Sequence, residues 1–419
     1  MYGWSILSSD KSHCDVLIVG GGLVGSTLAY ALSQAKISTV LLEERNPGFI
    51  GQPSFDDRVT ALANGSQRIF QGLDLWKDLL EVVEPINSIH ISERGRFGMS
   101  RIIAEEEGVS ALGYTIENRV LGGTIWSKLS SLDSLTCLAP AKLDSLSIKT
   151  DEIIARVKID DSNHEVRAKL VVAADGIRSK VRESLGIAVL TDVYDQQAVI
   201  VNCQTEVPHG GQAFERFTPS GPLAFLPLRH NRVGVVWTLS PEKKKIISDL
   251  SDKEFTAELQ KSFGNRLGRI NRVGSRSFYP LTRVRSDTLI SSRAVLVGNA
   301  ALNLHPVAGQ GFNLALRDIA ALAEVLVDAQ CNNNTIDLGD SCFLDSYQAW
   351  RYGDQQRVAQ FTHGLIKLFG YKLGPLAITR SLGLVAFDLI PGAKGMLARQ
   401  TMGLSGRLSR LARGLPLVS

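Results

Sequence analysis

Apolar residues along this chain fall into short unbroken runs separated by stretches of helical period, the pattern of buried parallel strands alternating with helices. Val16 to Val19 is such a run, followed by a Gly-rich turn and a helical segment. Ser38 to Leu42 reads as the next strand. Ala168 to Ala174 reads as another, running into Asp175-Gly176 and a helix. Arg293 to Val297 is a further apolar run, and Phe312 to Val327 has helical period. Between these, Thr60 to Leu73 and Ile116 to Leu129 read as helices, and His90 to Ala104 is strand-like. From Gln196 to Ser240 the pattern changes. QAFERFTPSGPLAFLPL and NRVGVVWTL alternate apolar and polar positions between Gly and Pro turns, which predicts an antiparallel sheet. That block interrupts the helix–strand alternation, so it reads as a second domain inserted into the first. The polar stretch Cys331 to Asp340 reads as a linker to a C-terminal helical region. The expected fold is α/β. Residues 1–80, 106–187 and 281–330 form a discontinuous Rossmann-like domain, 81–105 and 188–280 the inserted antiparallel-sheet domain, and 341–419 the helical region.

Two glycine-rich turns carry the candidate chemistry. Gly20, Gly22 and Gly25 give G-x-G-x-x-G at the turn from the first strand into its helix. The first two permit a tight turn and let backbone approach a pyrophosphate, and the third lets the helix pack on the strand. The second strand ends at Glu43, about twenty residues on, where an acid bonds a ribose hydroxyl. Glu44 is the alternative; spacing favours Glu43. The other turn is GNAALNLHPVAGQGFNLALRD, Gly298 to Asp318. It reaches a helix through Gly309 and Gly311, so unpaired N–H groups and a positive dipole end face an anionic or electron-rich ligand. Arg58 stands before the Thr60 segment, and its fork of donors suits a phosphate.

At 419 residues the chain can bury a large core and make two domains or more. Its five cysteines are scattered, with no C-x-x-C, and its seven histidines show no metal-ligand spacing, so no metal site and a reduced, cytoplasmic setting are expected. No signal peptide or membrane-spanning run is evident. The net charge of +4 is uneven: from Gln360 onward Lys367, Lys372, Arg380, Lys394, Arg399, Arg407, Arg410 and Arg413 stand against Asp388 alone. Leu397, Met402, Leu404, Leu408 and Leu411 interleave with them. Such a segment suits peripheral contact with an anionic inner-membrane surface, docking on a partner complex, or plain packing of a terminal helix. Nucleic-acid binding is not expected, because no reader motif is present.

Taken together, these motifs resemble the single-component FAD-dependent aromatic hydroxylases of the p-hydroxybenzoate hydroxylase superfamily. The glycine turn is the first shared motif. D-G-x-x-S-x-x-R is the second, met by Asp175, Gly176, Ser179 and Arg182. The third is G-D-A-A-H…P…G-x-G-x-N-x-x-x-x-D, met in most positions between Gly298 and Asp318. FDDRVTALANGS, ISERGRFG, ALGYTIEN, ERFTPSGPLAFLPL and HPVAGQGFNLALRD resemble the ubiquinone-biosynthesis branch, nearest its 2-polyprenyl-6-methoxyphenol hydroxylases. Two positions depart from the superfamily motif: Asn299 replaces its Asp and Leu302 its His. Asn can still hydrogen-bond a ribityl chain but brings no charge, and the change resembles what that branch carries.

The resemblance implies an FAD-dependent monooxygenase. NAD(P)H reduces the flavin, O2 is activated, and the ring of a polyprenylated phenol is hydroxylated in ubiquinone biosynthesis. It implies that Gly20, Gly22, Gly25 and Glu43 hold the ADP half of FAD. Arg58, Asn118, Asp175, Gly176 and Asn299 would meet its pyrophosphate or ribityl region. Pro306, Gly309, Gln310, Gly311 and Asn313 would face the isoalloxazine. The sequence itself names no catalytic dyad; His305 is the one weak catalytic candidate, and an ordinary packed loop histidine is its plain alternative. Phe214 to Leu228 is expected to cover the ring as the substrate wall. The alternatives left open are another ring position, a soluble aromatic substrate, a non-catalytic flavoprotein subunit of a quinone-biosynthesis complex, and an FAD-dependent reductase of a polyprenyl chain.

Overall fold

The computed structural model describes residues 13–47, 58–96, 98–304, 309–332, 336–370 and 393–418. The strand His13–Val19 lies at the centre of an eight-stranded sheet, flanked in parallel by Thr39–Leu42 and Ser162–Ala173. Leu135–Leu138 and Ala294–Leu296 continue the parallel array on either side. Ile153–Ile159 and Lys142–Ile148 extend it as an antiparallel flap on the first part of the long Ser162–Ala173 strand. Val16 to Val19 are buried, as an unbroken apolar run requires. Leu28 and Leu32 of helix Leu23–Gln34 join the same core. So do Leu121 and Ile125 of Asn118–Leu129, and Leu316, Ile319 and Leu322 of Gln310–Asn332.

A nine-stranded sheet forms the second layer system. Val189–Thr205, Arg232–Leu239, Gly221–Leu228 and Gln212–Thr218 run antiparallel in that spatial order. Ser88–Glu93 then pairs in parallel with Gln212–Thr218, and Met99–Ile103 closes that edge. One face is covered by helices Pro241–Asp249 and Asp252–Phe263, whose Ile247, Phe255, Leu259 and Phe263 meet Phe214, Leu223, Phe225, Val235 and Trp237. Phe225 and Phe263 stack with ring centroids 3.8 Å apart. Directly paired residues share a face, so Glu215, Ala224, Leu226, Gly234 and Val236 lie together on the opposite side. That side receives Val59, whose Cγ2 lies 2.5 Å from where a Cβ on Gly234 would sit.

Three expected elements differ. Thr60 to Ala63 is strand rather than helix, because Val59–Ala63 pairs antiparallel with Gly113–Glu117; the helix begins at Asn64. For the same reason Ile116 and Glu117 end a strand, and the helix starts at Asn118. Tertiary pairing overrides local period at both places. Cys331 to Asp340 is not a simple linker: the preceding helix runs to Asn332, and Asp337 and Gly339 dock on the parallel sheet. Asp337 pairs with Arg293, one contact being 2.8 Å, and a Cβ on Gly339 would stand 2.2 Å from the Lys169 carbonyl.

Helices Gln310–Asn332 and Ser341–Gly370 are joined by a buried ionic cluster. Asp318 accepts from Arg351 at 2.7 Å and from Gln355 at 2.8 Å. Asp354 accepts from Arg317 at 2.9 Å and pairs with Arg351 at 2.7 Å. Removing one member strands a buried charge, which costs about 3–5 kcal/mol. Arg351→Met is therefore expected to lower stability by about that amount, measured as a shift of the denaturant midpoint at unchanged slope. A shift too small to resolve would mean the cluster is solvated.

Candidate FAD-binding site

The carboxyl ends of the parallel strands bring the sequence motifs to one edge, the place where open α/β sheets hold ligands. At the end of the first strand Gly20 has φ +103°, and a Cβ there would lie 2.5 Å from the Ala174 carbonyl oxygen. Gly25 sits so close under the turn that its Cβ would lie 1.8 Å from the Gly20 oxygen. Gly22 caps helix Leu23–Gln34 with no side-chain hydrogen bond, and the first turn holds no acid. The first N–H groups of that helix are thus left for an external anion.

Glu43 turns into this loop. Its Oε2 accepts the Gly21 N–H at 2.8 Å and its Oε1 the Arg45 N–H at 3.0 Å. Burial raises its carboxyl above the usual range, with the two amides opposing the shift. Glu44 instead pairs with Lys142 at the surface, 3.0 Å away. Trp126 closes the back of the turn: its Nε1 donates to the Gly21 carbonyl at 2.9 Å. A Cβ on Gly21 would collide with both Trp126 and Glu43, at 2.7 and 2.8 Å. Sequence reasoning missed Gly21 and Trp126, since no local spacing links a tryptophan to a glycine 105 positions away.

Asp175 and Gly176 come directly after the third central strand. Asp175 Oδ2 accepts the Lys180 and Val181 N–H groups at 2.8 and 3.3 Å. Its Oδ1 is buried without a partner in good geometry. Burial raises this carboxyl, while Ser179 and the amides oppose the shift. Gly176 has φ +83° and open space where a Cβ would be. Arg182 ties two motifs together, donating to Ala300 and Ile177 carbonyls at 2.8 Å each. It thereby fixes the loop carrying Asn299, which is exposed beside Gly298.

Arg58 and Asn118 are adjacent: the Asn118 N–H donates to the Arg58 carbonyl at 2.8 Å, and Thr60 Oγ1 donates to Asn118 Oδ1 at 2.5 Å. The Arg58 guanidinium stands 5.1 Å from the Tyr279 ring centroid, on the inner face of the second sheet. At the third motif, Asn313 is wholly engaged within the protein. Its Oδ1 accepts from Ala63 N–H and Ser66 hydroxyl at 2.8 and 2.7 Å, and its Nδ2 donates to Ala61 and Gly309 carbonyls at 2.8 and 2.7 Å. It holds the helix start rather than offering its amide to a ligand. Gln310 is buried and reaches the Thr401 carbonyl at 3.3 Å. Gly309 has φ +59°, and Gly311 has open space on its Cβ side. His305 and Pro306 lie outside the described residues.

A strand, a glycine turn, an acid on the next strand and an orphaned buried carboxylate oxygen, all at one sheet edge, define a dinucleotide-binding flavoprotein. The chain belongs to the FAD binding domain family, whose match runs over residues 13–362. It is an FAD-dependent aromatic-ring monooxygenase grouping with the ubiquinone-biosynthesis hydroxylases. It is 39% identical to the ubiquinone hydroxylase UbiL of Rhodospirillum rubrum over 98% of this chain and 95% of the relative. It is 32% identical to the 3-demethoxyubiquinol 3-hydroxylase of Escherichia coli over 93% of this chain and 97% of that one. In fold it is similar to p-nitrophenol 4-monooxygenase PnpA of Pseudomonas putida. The TM-score is 0.79 at 18% identity, over 94% of this chain and 99% of that one.

The glycine turn offers unfilled amides for a diphosphate, and Asp175 Oδ1 lacks a donor that a ribose or ribityl hydroxyl provides, so the residues fit FAD. Gly22→Asp places a carboxylate at the turn where a diphosphate would sit. The purified variant is expected to lose bound flavin almost completely while keeping native far-ultraviolet dichroism. Stoichiometric flavin in that variant would show that the diphosphate lies elsewhere.

Proposed function

We propose that this enzyme hydroxylates the ring of a polyprenylated phenol of the 2-polyprenyl-6-methoxyphenol type, using NAD(P)H and O2, as a step of ubiquinone biosynthesis. The carrying observation is the inner face of the second sheet, which is lined by Ala213, Ala224, Leu226 and Val236 and turned toward the flavin edge of the first. Such a wall suits an apolar substrate and keeps water from the reacting ring. The named functions of the UbiL and 3-demethoxyubiquinol relatives support the substrate class. The second of these keeps a demethoxyubiquinol ring position as the competing reading.

Bound FAD supplies the redox chemistry that passes reducing equivalents to O2 and one oxygen atom to the ring. In this reading the protein binds and orients. Gly20, Gly22 and Gly25 admit the diphosphate, Glu43 holds the adenosine ribose, and Arg58 and Asn118 with Asp175, Gly176 and Asn299 line the path of the pyrophosphate and ribityl chain. The start of helix Gln310–Asn332, with Gly309 and Gly311, presents backbone N–H groups and a dipole end to the ring system, favouring negative charge there. The chain divides into a discontinuous cofactor domain (1–80, 106–187, 281–330), a substrate domain (81–105, 188–280) and a C-terminal region (341–419).

The basic C-terminal segment is read as a docking element with a peripheral membrane face. Within its described part, Arg410 pairs with Glu324 and Asp328, Arg407 stacks 3.9 Å from the Trp350 centroid, and Leu411 and Leu417 are buried. Among the described residues no helix is long and apolar enough to cross a membrane. Membrane contact is checked by co-sedimentation with anionic vesicles, expected at low salt and lost at high salt; no low-salt binding removes this face.

The reaction is tested with heavy-oxygen gas, NADPH and a short-tailed 2-prenyl-6-methoxyphenol. One heavy oxygen on the ring is expected, at the position that names the step. NADPH consumption yielding peroxide with no labelled product would sink the substrate assignment.

A further inference from the structure

An acid stands on the otherwise largely apolar inner face of the second sheet. Glu215 pairs in register with Ile91 on one side and Ala224 on the other, and Val236 stands opposite Ala224 on the next strand. Ala213 and Phe217 flank it on the same face of its own strand, since side chains alternate. The opposite face, with Phe214 and Arg216, belongs to the helices. Ala213 and Leu226, one step along, cluster with Ala61, Ala398 and Met402. Ala61 in turn comes within 3.5 Å of the Cβ position of Gly309, at the start of the flavin-side helix. The acid is thus on the wall that faces the third motif.

Glu215 as a whole residue is half-buried, while its carboxyl lies among the apolar side chains of this face. It is enclosed enough that burial, with no opposing cation or hydrogen bond, pushes its carboxyl up to about 7. Glu93 stands along the same face; neither it nor any other charged group shifts the carboxyl. An acid in apolar surroundings without a compensating partner is costly. Packing gives no reason for it; an apolar side chain between Ile91 and Ala224 would serve better. An ordinary Glu is too weak a base for a phenol, whose pKa is about 10. Raised toward neutrality, the carboxylate accepts a proton more readily and is still ionised in a large fraction of molecules at working pH.

We propose that Glu215 is a catalytic residue that receives the phenolic proton of the substrate as oxygen is transferred to the ring. The phenol O–H bond breaks toward Glu215, and the electron pair left on oxygen enriches the ring carbon that accepts the new oxygen. When that carbon releases its hydrogen as a proton to solvent and the ring regains aromaticity, Glu215 returns its proton to the phenolic oxygen, so the group is regenerated; the second oxygen atom of O2 leaves as water. The oxidant is O2 and the reductant NAD(P)H, as in the proposed function, on which this inference rests.

The test compares wild type with Glu215→Gln as FAD-loaded enzymes. Wild-type turnover of the short-tailed phenol is expected to rise with pH through about 7, the active form being the carboxylate. The Gln variant is expected to retain flavin, to lose about 10²–10⁴-fold in kcat, and to lose that rising limb. A second readout needs no turnover: a prenylated nitrophenol is bound without NADPH and its phenolate absorbance titrated. The anion of Glu215 opposes a second anion beside it, so the bound probe ionises at higher pH in wild type than in Glu215→Gln. If the Gln variant does not accumulate folded, Glu215→Asp replaces it in both measurements, and a displaced inflection with reduced kcat is expected. An unchanged kcat and pH profile together with an unchanged probe titration overturns the role of Glu215. Failure of wild type to place labelled oxygen on the ring overturns instead the function on which it rests.

Discussion

The site depends on how closely backbone approaches backbone at the end of the first strand. Gly20 lies against the Ala174 carbonyl and Gly25 against Gly20, at distances no side chain tolerates. That closeness brings the start of helix Leu23–Gln34, the Glu43 carboxylate and the Asp175 loop to one edge. The helix start and the Asp175 loop then act through what the turn leaves unfilled: amides without acceptors and a buried oxygen without a donor. A polar group shielded from water in this way is tolerated where a ligand completes it.

A second constraint fixes the other wall. Asp318, at the end of the third motif, is locked to Arg351 and Gln355 of the next long helix, and Asn313 is locked to Ala61, Ala63, Ser66 and Gly309. The polar residues of that motif are therefore scaffold as much as contact. They hold the amino end of helix Gln310–Asn332 against strand Val59–Ala63, the strand that also meets the second sheet at Gly234. That strand is one of the places where the second sheet is held against the first, together with the Arg232–Glu117 pair at 3.0 Å. The second sheet separates its tasks by face: Phe214, Phe225 and Trp237 take the helices, while Ala213, Glu215 and Ala224 face inward.

The architecture was legible in the chain because it rests on local period and on turn chemistry. Val16 to Val19 had to be a doubly covered strand, Gly20 to Gly25 a turn under a helix, and Gln196 to Ser240 an antiparallel run. Thr60 to Ala63 and Ile116-Glu117 were illegible, because their apolar period fits a helix equally well and only their pairing with each other makes them strands. The stretch Asp337 to Gly339 looked like linker because its polarity is spent on Arg293 and the Lys169 carbonyl, partners that are remote in sequence.

By itself, then, the sequence determined the class of fold and that the chain holds a dinucleotide cofactor, since glycine spacing and strand hydrophobicity act over neighbouring residues. Tertiary structure alone decided that Trp126 backs the turn, that Arg182 bridges two motifs, and that Asn313 is spent on scaffold. It also decided which side of a strand Glu215 occupies relative to the flavin edge. The physical reason is the same in each case: direction and burial of a side chain are set by which distant backbone comes to lie beside it, and no local pattern carries that.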